Sequence, residues 1–195
     1  MNHLRILFDA DDVAETLVQG WVNILNEQYG TSVSLEDVTD WDISLAFPTL
    51  TKKQIYGVLQ DERLWANLQP IPGAQEYLQR LHDEGHELYM VTATDYRTCR
   101  VKIERILELF PFLDAEHIII AHHKQMVMGD VLIDDGPHNL VGGHYFRILF
   151  DQPHNRCFDE NKYGMYRAVG WEQVYKLIHE NLVFKPDDVW RNISL

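Results

Sequence analysis

Two short acidic signatures carry the chemical content of this chain. Asp9-Ala10-Asp11 directly follows the apolar run Leu4-Arg5-Ile6-Leu7-Phe8, and Asp134-Asp135 directly follows Val131-Leu132-Ile133. If both runs are neighbouring strands of one sheet, their ends bring four carboxylates into one small volume. Carboxylates repel one another, so such a cluster calls for a cation. A hard divalent ion such as Mg²⁺ takes oxygen ligands and keeps waters that a substrate phosphate displaces. Phosphoryl chemistry is therefore the first expectation.

The elements that must position these groups follow from hydrophobic spacing. Five short runs rich in Ile, Val, Leu, Tyr and Phe read as buried strands: residues 4–8, 87–91, 117–121, 131–133 and 145–150. Helical stripes lie between several of them. Ala74, Tyr77, Leu78 and Leu81 share a face that Gly85 terminates; Ile103, Ile106, Leu107 and Phe110 form another, ended by Pro111. Trp171, Val174, Tyr175, Ile178 and Leu182 make a third. Alternating strands and helices with continuously apolar strands predict an α/β fold, a Rossmann-like three-layer parallel sheet covered on both faces.

The segment from about Val13 to Pro70 breaks this rhythm, because two helical patterns follow the first strand with no second strand between them. It reads as a small helical cap, residues 14–70, inserted into a core made of residues 1–13 and 71–182. A loosely packed tail, 183–195, completes the chain. Val13, Leu17, Trp21, Ile24 and Leu25 mark the first cap helix, stopped near Gly30, and Thr51 caps another running towards Gln60. The cap is aromatic, carrying Trp21, Tyr29, Trp41, Phe47, Tyr56 and Trp65. Most of these are expected in a small helical core, with one or two left to stack on a base.

Ligands of open parallel sheets bind beyond the carboxyl ends of the strands. A position or a few past the predicted strand ends stand Asp9 and Asp11, then Thr92, then Lys124, then Asp134 and Asp135. These supply a carboxylate nucleophile, an acid or base two residues on, a hydroxyl and an ammonium for phosphoryl oxygens, and further carboxylate for a metal.

The order Asp-x-Asp, Thr, Lys, Asp-Asp resembles the haloacid dehalogenase superfamily of phosphatases. The opening LRILFDADDV, the segment QPIPGAQEYLQRL, YMVTAT and VLIDDGP, together with the insert after Asp11, resemble its 5′(3′)-deoxyribonucleotidase family. The likeness spans most of the chain and rests on the combination in order, not on any one piece. It implies a Mg²⁺-dependent phosphomonoesterase of nucleoside monophosphates that works through a phosphoaspartate. Asp9 would be the nucleophile, Asp11 the acid and base, and Thr92 and Lys124 the phosphate holders. The metal would be held by Asp9, the Asp11 main-chain carbonyl and Asp135, with Asp134 supporting the shell; which of Asp134 and Asp135 is the direct ligand stays open. Leu17, where relatives carry an aromatic, and Trp41 would line the substrate pocket. Asp12 replaces a glycine common at that position, adding charge near the metal in a turn that Asp tolerates.

Bulk composition narrows the alternatives. With 30 acidic against 17 basic residues among 195, the formal net charge is −13, which disfavours nonspecific binding to nucleic acid or anionic membrane and leaves a small phosphorylated substrate. The two cysteines, Cys99 and Cys157, have no metal or disulfide spacing, which fits a reducing compartment. No stretch approaches the roughly 20 apolar residues of a membrane span, so a cytoplasmic location is expected, with a homodimer an open option. The ten histidines do not converge on a transition-metal spacing. Three further readings compete: a phosphatase of a sugar phosphate or other small phosphomonoester; a catalytically silent nucleotide-binding relative, motivated by Asp12; and a phospho-accepting receiver module, against which the order of the aspartates and lysine argues.

Overall fold

A computed structural model describes residues 3–183. Among them, six strands form one wholly parallel sheet in the order β3-β2-β1-β4-β5-β6. They are β1 (Arg5–Phe8), β2 (Glu87–Thr92), β3 (Ile118–Ile120), β4 (Val131–Asp134), β5 (Phe146–Phe150) and β6 (Tyr166–Ala168). The five expected strands are present. The sixth, β6, escaped the sequence reading because Tyr166-Arg167-Ala168 is too short and too polar to stand out as an apolar run.

Period-two alternation assigns the faces. Ile6 and Phe8 of β1 point into the main core with Leu88, Met90, Ile133 and Ile148, while Leu7 points the other way with Val91, Leu132 and Leu149. Helices α4 (Ala74–Asp83), α5 (Cys99–Leu109) and α7 (Trp171–Ile178) cover the first face through Leu78, Leu81, Ile106, Trp171 and Val174. Among the described residues the short helix α6 (Pro137–Leu140), Tyr145 and flanking loops cover the second face, a thinner layer than that on the first. Trp171 anchors the main core: its ring stands edge-on to Phe8, with centroids 6.2 Å apart, and its indole N–H donates to the Val13 carbonyl at 2.8 Å. Such an aromatic pair adds roughly 0.5–1.5 kcal/mol beyond its burial.

Between β1 and β2 lie α1 (Leu17–Tyr29), α2 (Lys52–Gly57) and α3 (Glu62–Ala66), joined by 3-10 turns. Their apolar faces meet in a separate cluster built on Trp21, Leu25, Phe47, Ile55, Leu64, Trp65 and Leu68. Gly30 closes α1 in the left-handed conformation, and Thr51 caps α2 reciprocally with Gln54, as their types foretell. Val13 is a correction. It sits outside α1, in the main core, because Asp12 at φ 55° turns the chain before the helix starts. The chain enters and leaves this region through a paired neck, in which Thr16 N–H donates to the Gln69 carbonyl and Ile71 N–H to that of Ala14, both at 2.9 Å. The tail expected at 183–195 lies almost wholly outside the described residues. No helix among the described residues is long and apolar enough to cross a membrane.

Candidate active site

The central strand β1 has β2 on one side and β4 on the other, so successive connections leave in opposite directions and open a crevice at its carboxyl end. Asp9 extends the ladder by one rung, its N–H donating to the Ile133 carbonyl at 2.9 Å, which places its carboxylate beside the end of β4. There one oxygen each of Asp9, Asp134 and Asp135 lies within 4.8 Å of the others, all three residues buried. Lys124 enters from the turn after β3, its Nζ 2.7 Å from both Asp9 Oδ1 and Asp134 Oδ2.

The two adjacent aspartates have different surroundings. Asp134 is saturated: besides Lys124, its carboxylate accepts from Gly136 N–H at 2.8 Å and Asn139 Nδ2 at 2.9 Å. A Cβ at 136 would lie 2.9 Å from Asn139 Nδ2 and 3.1 Å from Asp134 Oδ1, so any larger residue there would displace the side chains that hold Asp134. Asp135 faces the cavity and meets His154 Nε2 at 2.9 Å, while Asn155 Nδ2 donates to its main-chain carbonyl.

Charge density shows in the proton affinities. Burial, only partly offset by Lys124, and the neighbouring Asp134, Asp11 and Asp135 hold Asp9 well above the ordinary carboxylate range. Burial also raises Asp135, against the pull of His154. Lys124 goes up: burial opposes its charge, but Asp9 and Asp134 outweigh that. Burial works against the charge of Asp11 as well, yet the Lys102 ammonium and a hydrogen bond from Glu15 keep it low.

Glu15 is fully buried, and no N–H or O–H donor among the described residues reaches either oxygen. Burial, the adjacent Asp11 charge and the side-chain contact with Asp11 hold its carboxyl well above the ordinary range. Lys102, from the first turn of α5, completes this group: its Nζ lies 2.7 and 2.6 Å from the two Asp11 oxygens and 2.9 Å from Thr92 Oγ1.

The crevice continues into a cavity of about 570 Å³. Asp9, Asp11, Lys124 and Asp135 form its floor, and Leu17, Val18, Trp21, Val38, Trp41 and Ile43 its apolar wall. Trp41 is 58% exposed and stands edge-on to His138 and His154, with centroids 4.8 and 5.2 Å away. The structure thus brings Asp9, Asp11, Lys124, Asp135, Leu17 and Trp41 to one cavity. Thr92 and Asp134 lie behind the floor, buried, with Thr92 Oγ1 taken up by Lys102. Asp12 lines the cavity beside the floor, buried, and its carboxylate accepts from Val18 N–H at 3.0 Å and caps α1.

Sequence reasoning missed Lys102, Glu15, His154 and Asn139. Reading past the end of β5 as past the others would have reached His154, and a lysine on the stripe Lys102, Ile106, Leu109 is a visible anomaly. Glu15 carried no such signal. Among the described residues no histidine group has metal spacing, and both cysteines are free.

Comparison with known proteins gives the family and the fold. Residues 2–185 match the model of the family described as "5' nucleotidase, deoxy (Pyrimidine), cytosolic type C protein". A 5′(3′)-deoxyribonucleotidase of Clostridium acetobutylicum is 35% identical over 177 residues, covering 91% of this chain and 96% of the relative. One from Bacillus subtilis is 34% identical over 171 residues, covering 87% and 95%. Among solved structures, a haloacid dehalogenase-like hydrolase from Streptococcus pneumoniae superposes with a TM-score of 0.61 at 17% identity, over 90% of this chain and 98% of that one, which speaks for the fold alone. The fold of this chain is that of haloacid dehalogenase-like hydrolases, and the chain belongs to the 5′ nucleotidase, deoxy (pyrimidine), cytosolic type C family and is a phosphoric monoester hydrolase.

Proposed function

We propose that the protein hydrolyses nucleoside monophosphates, deoxyribonucleotides among them, through a phosphoaspartate on Asp9. The observation that carries this reading is the convergence of Asp9, Asp11, Lys124 and Asp135 on the floor of a cavity whose wall is apolar and aromatic. A phosphate fits the floor and a nucleoside the wall, against Leu17 and Trp41. The relatives' names, 5′(3′)-deoxyribonucleotidase, support the same substrate class.

The donor set suits a hard divalent cation, since three buried carboxylates with one ammonium leave net negative charge. Mg²⁺ would be held by Asp9, the Asp11 carbonyl and Asp135. Asp134, its oxygens already filled, orients Lys124 and supports that shell. When bound, the cation neutralises charge developing on the phosphoryl oxygens.

The chain's own groups do the rest. An Asp9 oxygen attacks phosphorus as the P–O bond to the nucleoside breaks, and Asp11 delivers a proton to the departing oxygen. The buried Glu15 carboxyl beside Asp11, held above the ordinary range, is the neighbouring group suited to hand Asp11 that proton. In the second half Asp11, ionised, takes a proton from the water that attacks the phosphoaspartate. Lys124 and Thr92 hold phosphoryl oxygens, Thr92 by redirecting a hydroxyl that accepts from Lys102 and donates to the Ala93 carbonyl at 3.3 Å. The α1–α3 region, residues 14–70, acts as the cap that covers the site and contacts the base.

Phosphate release from a panel of ribo- and deoxyribonucleotides and sugar phosphates, with and without Mg²⁺, tests this. Turnover on nucleotides that needs Mg²⁺ and drops at least about 10⁴-fold in Asp9→Asn is expected. Undiminished turnover in that variant, or activity confined to sugar phosphates, would remove the reading.

A further inference from the structure

We infer that Lys102 is a positioning residue for Asp11: by gripping both oxygens of that carboxylate it aims it at the leaving group, and it links this aim to Thr92 and to the helical insert. The inference rests on the role given to Asp11 above.

An ammonium with no exposure is costly unless fully partnered, and the position belongs to the apolar stripe of α5, where methionine or leucine would pack without that cost. The partners justify the lysine. Besides both Asp11 oxygens and Thr92 Oγ1, Nζ lies 3.3 Å from the Ala93 carbonyl, and it stands 4.9 Å from the centre of the Trp65 ring of α3. Glu15 adjoins the same carboxylate. Asp11 is thereby held from more than one direction while lining the cavity. Lys102 is absent from the cavity wall, so it acts through the groups it grips, of which Asp11 carries a side chain into the cavity. Lys124 already supplies the cation that faces the phosphate.

A group that acts through the proton donor affects esters according to how much their leaving oxygen needs the proton. A nucleoside alkoxide needs it, and p-nitrophenolate does not. The value of kcat/KM reports the steps up to phosphoaspartate formation, where this difference lies. In Lys102→Met, kcat/KM on a nucleoside monophosphate is expected to fall about 100-fold and that on p-nitrophenyl phosphate less than about 10-fold. The ratio of the two therefore shifts by at least about tenfold. A lysine needed only for folding, or for holding phosphate through Thr92, would lower both equally. Equal losses, or none, overturn the inference.

Lys102→Gln, which keeps one donor towards Asp11, gives the same ordering with smaller losses should the methionine variant fail to fold. If the wild-type protein hydrolyses neither ester, the functional reading fails on its own account. A crystal structure of Lys102→Gln then decides the present point, with displacement of the Asp11 carboxylate expected and an unmoved one overturning it.

Discussion

Asp12 shows how one residue reconciles a strained backbone with a crowded site. Its φ of 55° lies where glycine is at ease and other residues pay about 1–2 kcal/mol, with aspartate and asparagine the least penalised. Thr16, at the cap position of α1, makes no side-chain bond to the helix, and Asp12 supplies it from outside through Val18 N–H. Gln152 Nε2 meanwhile holds the Asp12 carbonyl at 2.6 Å. The residue therefore serves backbone geometry and capping, while burial and nearby Asp135 keep its carboxyl well above the ordinary range. Asp12→Asn preserves both services and sheds a disfavoured charge, so its stability should equal or exceed the wild type. Asp12→Ala loses the cap and keeps the strain, at a cost of about 2 kcal/mol. Urea unfolding of the two variants separates these, and equal midpoints for Ala and Asn would contradict the account.

At the scale of elements, what was readable in the sequence was whatever periodicity and strand ends encode. β1, β2, β4 and β5 announce themselves as apolar runs, and Gly30, Gly85 and Pro111 end their helices by backbone chemistry alone. β6 and the thin second face were not readable, because both depend on what the neighbouring strands leave exposed. The floor carboxylates and Lys124 follow the rule of strand ends, whereas Lys102 comes from a helix that only tertiary packing brings beside Asp11, and Glu15 from the tight turn after it, where Glu15 N–H donates to the Ala10 carbonyl and Asp12 N–H to that of Glu15. His86, just before β2, illustrates packing setting chemistry in the same way. Its Nδ1 accepts from Leu4 N–H at 3.2 Å, tying the starts of β1 and β2, and burial holds its pKa below the ordinary 6.5 despite nearby Glu84. The unfolded chain protonates this histidine near 6.5 while the fold resists, so its contribution is complete above that pH. It is lost as pH falls from 6.5 to the lowered folded value, at up to about 1.4 kcal/mol per unit. Unfolding midpoints at pH 7.5 and 5.5 should differ less in His86→Gln than in the wild type; identical differences would assign the acid sensitivity elsewhere.

For the whole molecule, the charge of −13 and the cavity lining work in the same direction. Asp9, Asp11, Asp12, Asp40, Asp42 and Asp135 line the cavity against a single lining lysine, Lys124, itself paired to two carboxylates. Such a field draws divalent cations and repels a free phosphate dianion until it is at contact distance. Salt shortens the reach of that repulsion, from a Debye length of about 30 Å at 0.01 M to about 8 Å at 0.15 M. At saturating Mg²⁺, KM for a nucleoside monophosphate should therefore fall about two- to fivefold over that range. Inhibition by the uncharged nucleoside should stay flat, because it feels the apolar wall of Leu17 and Trp41 but not the field. Steady-state kinetics at several ionic strengths measures both. A KM that rises with salt would mean that the cation-loaded floor, Lys124 included, outweighs the acidic surface at a distance, and that the molecule steers its substrate instead of tolerating it.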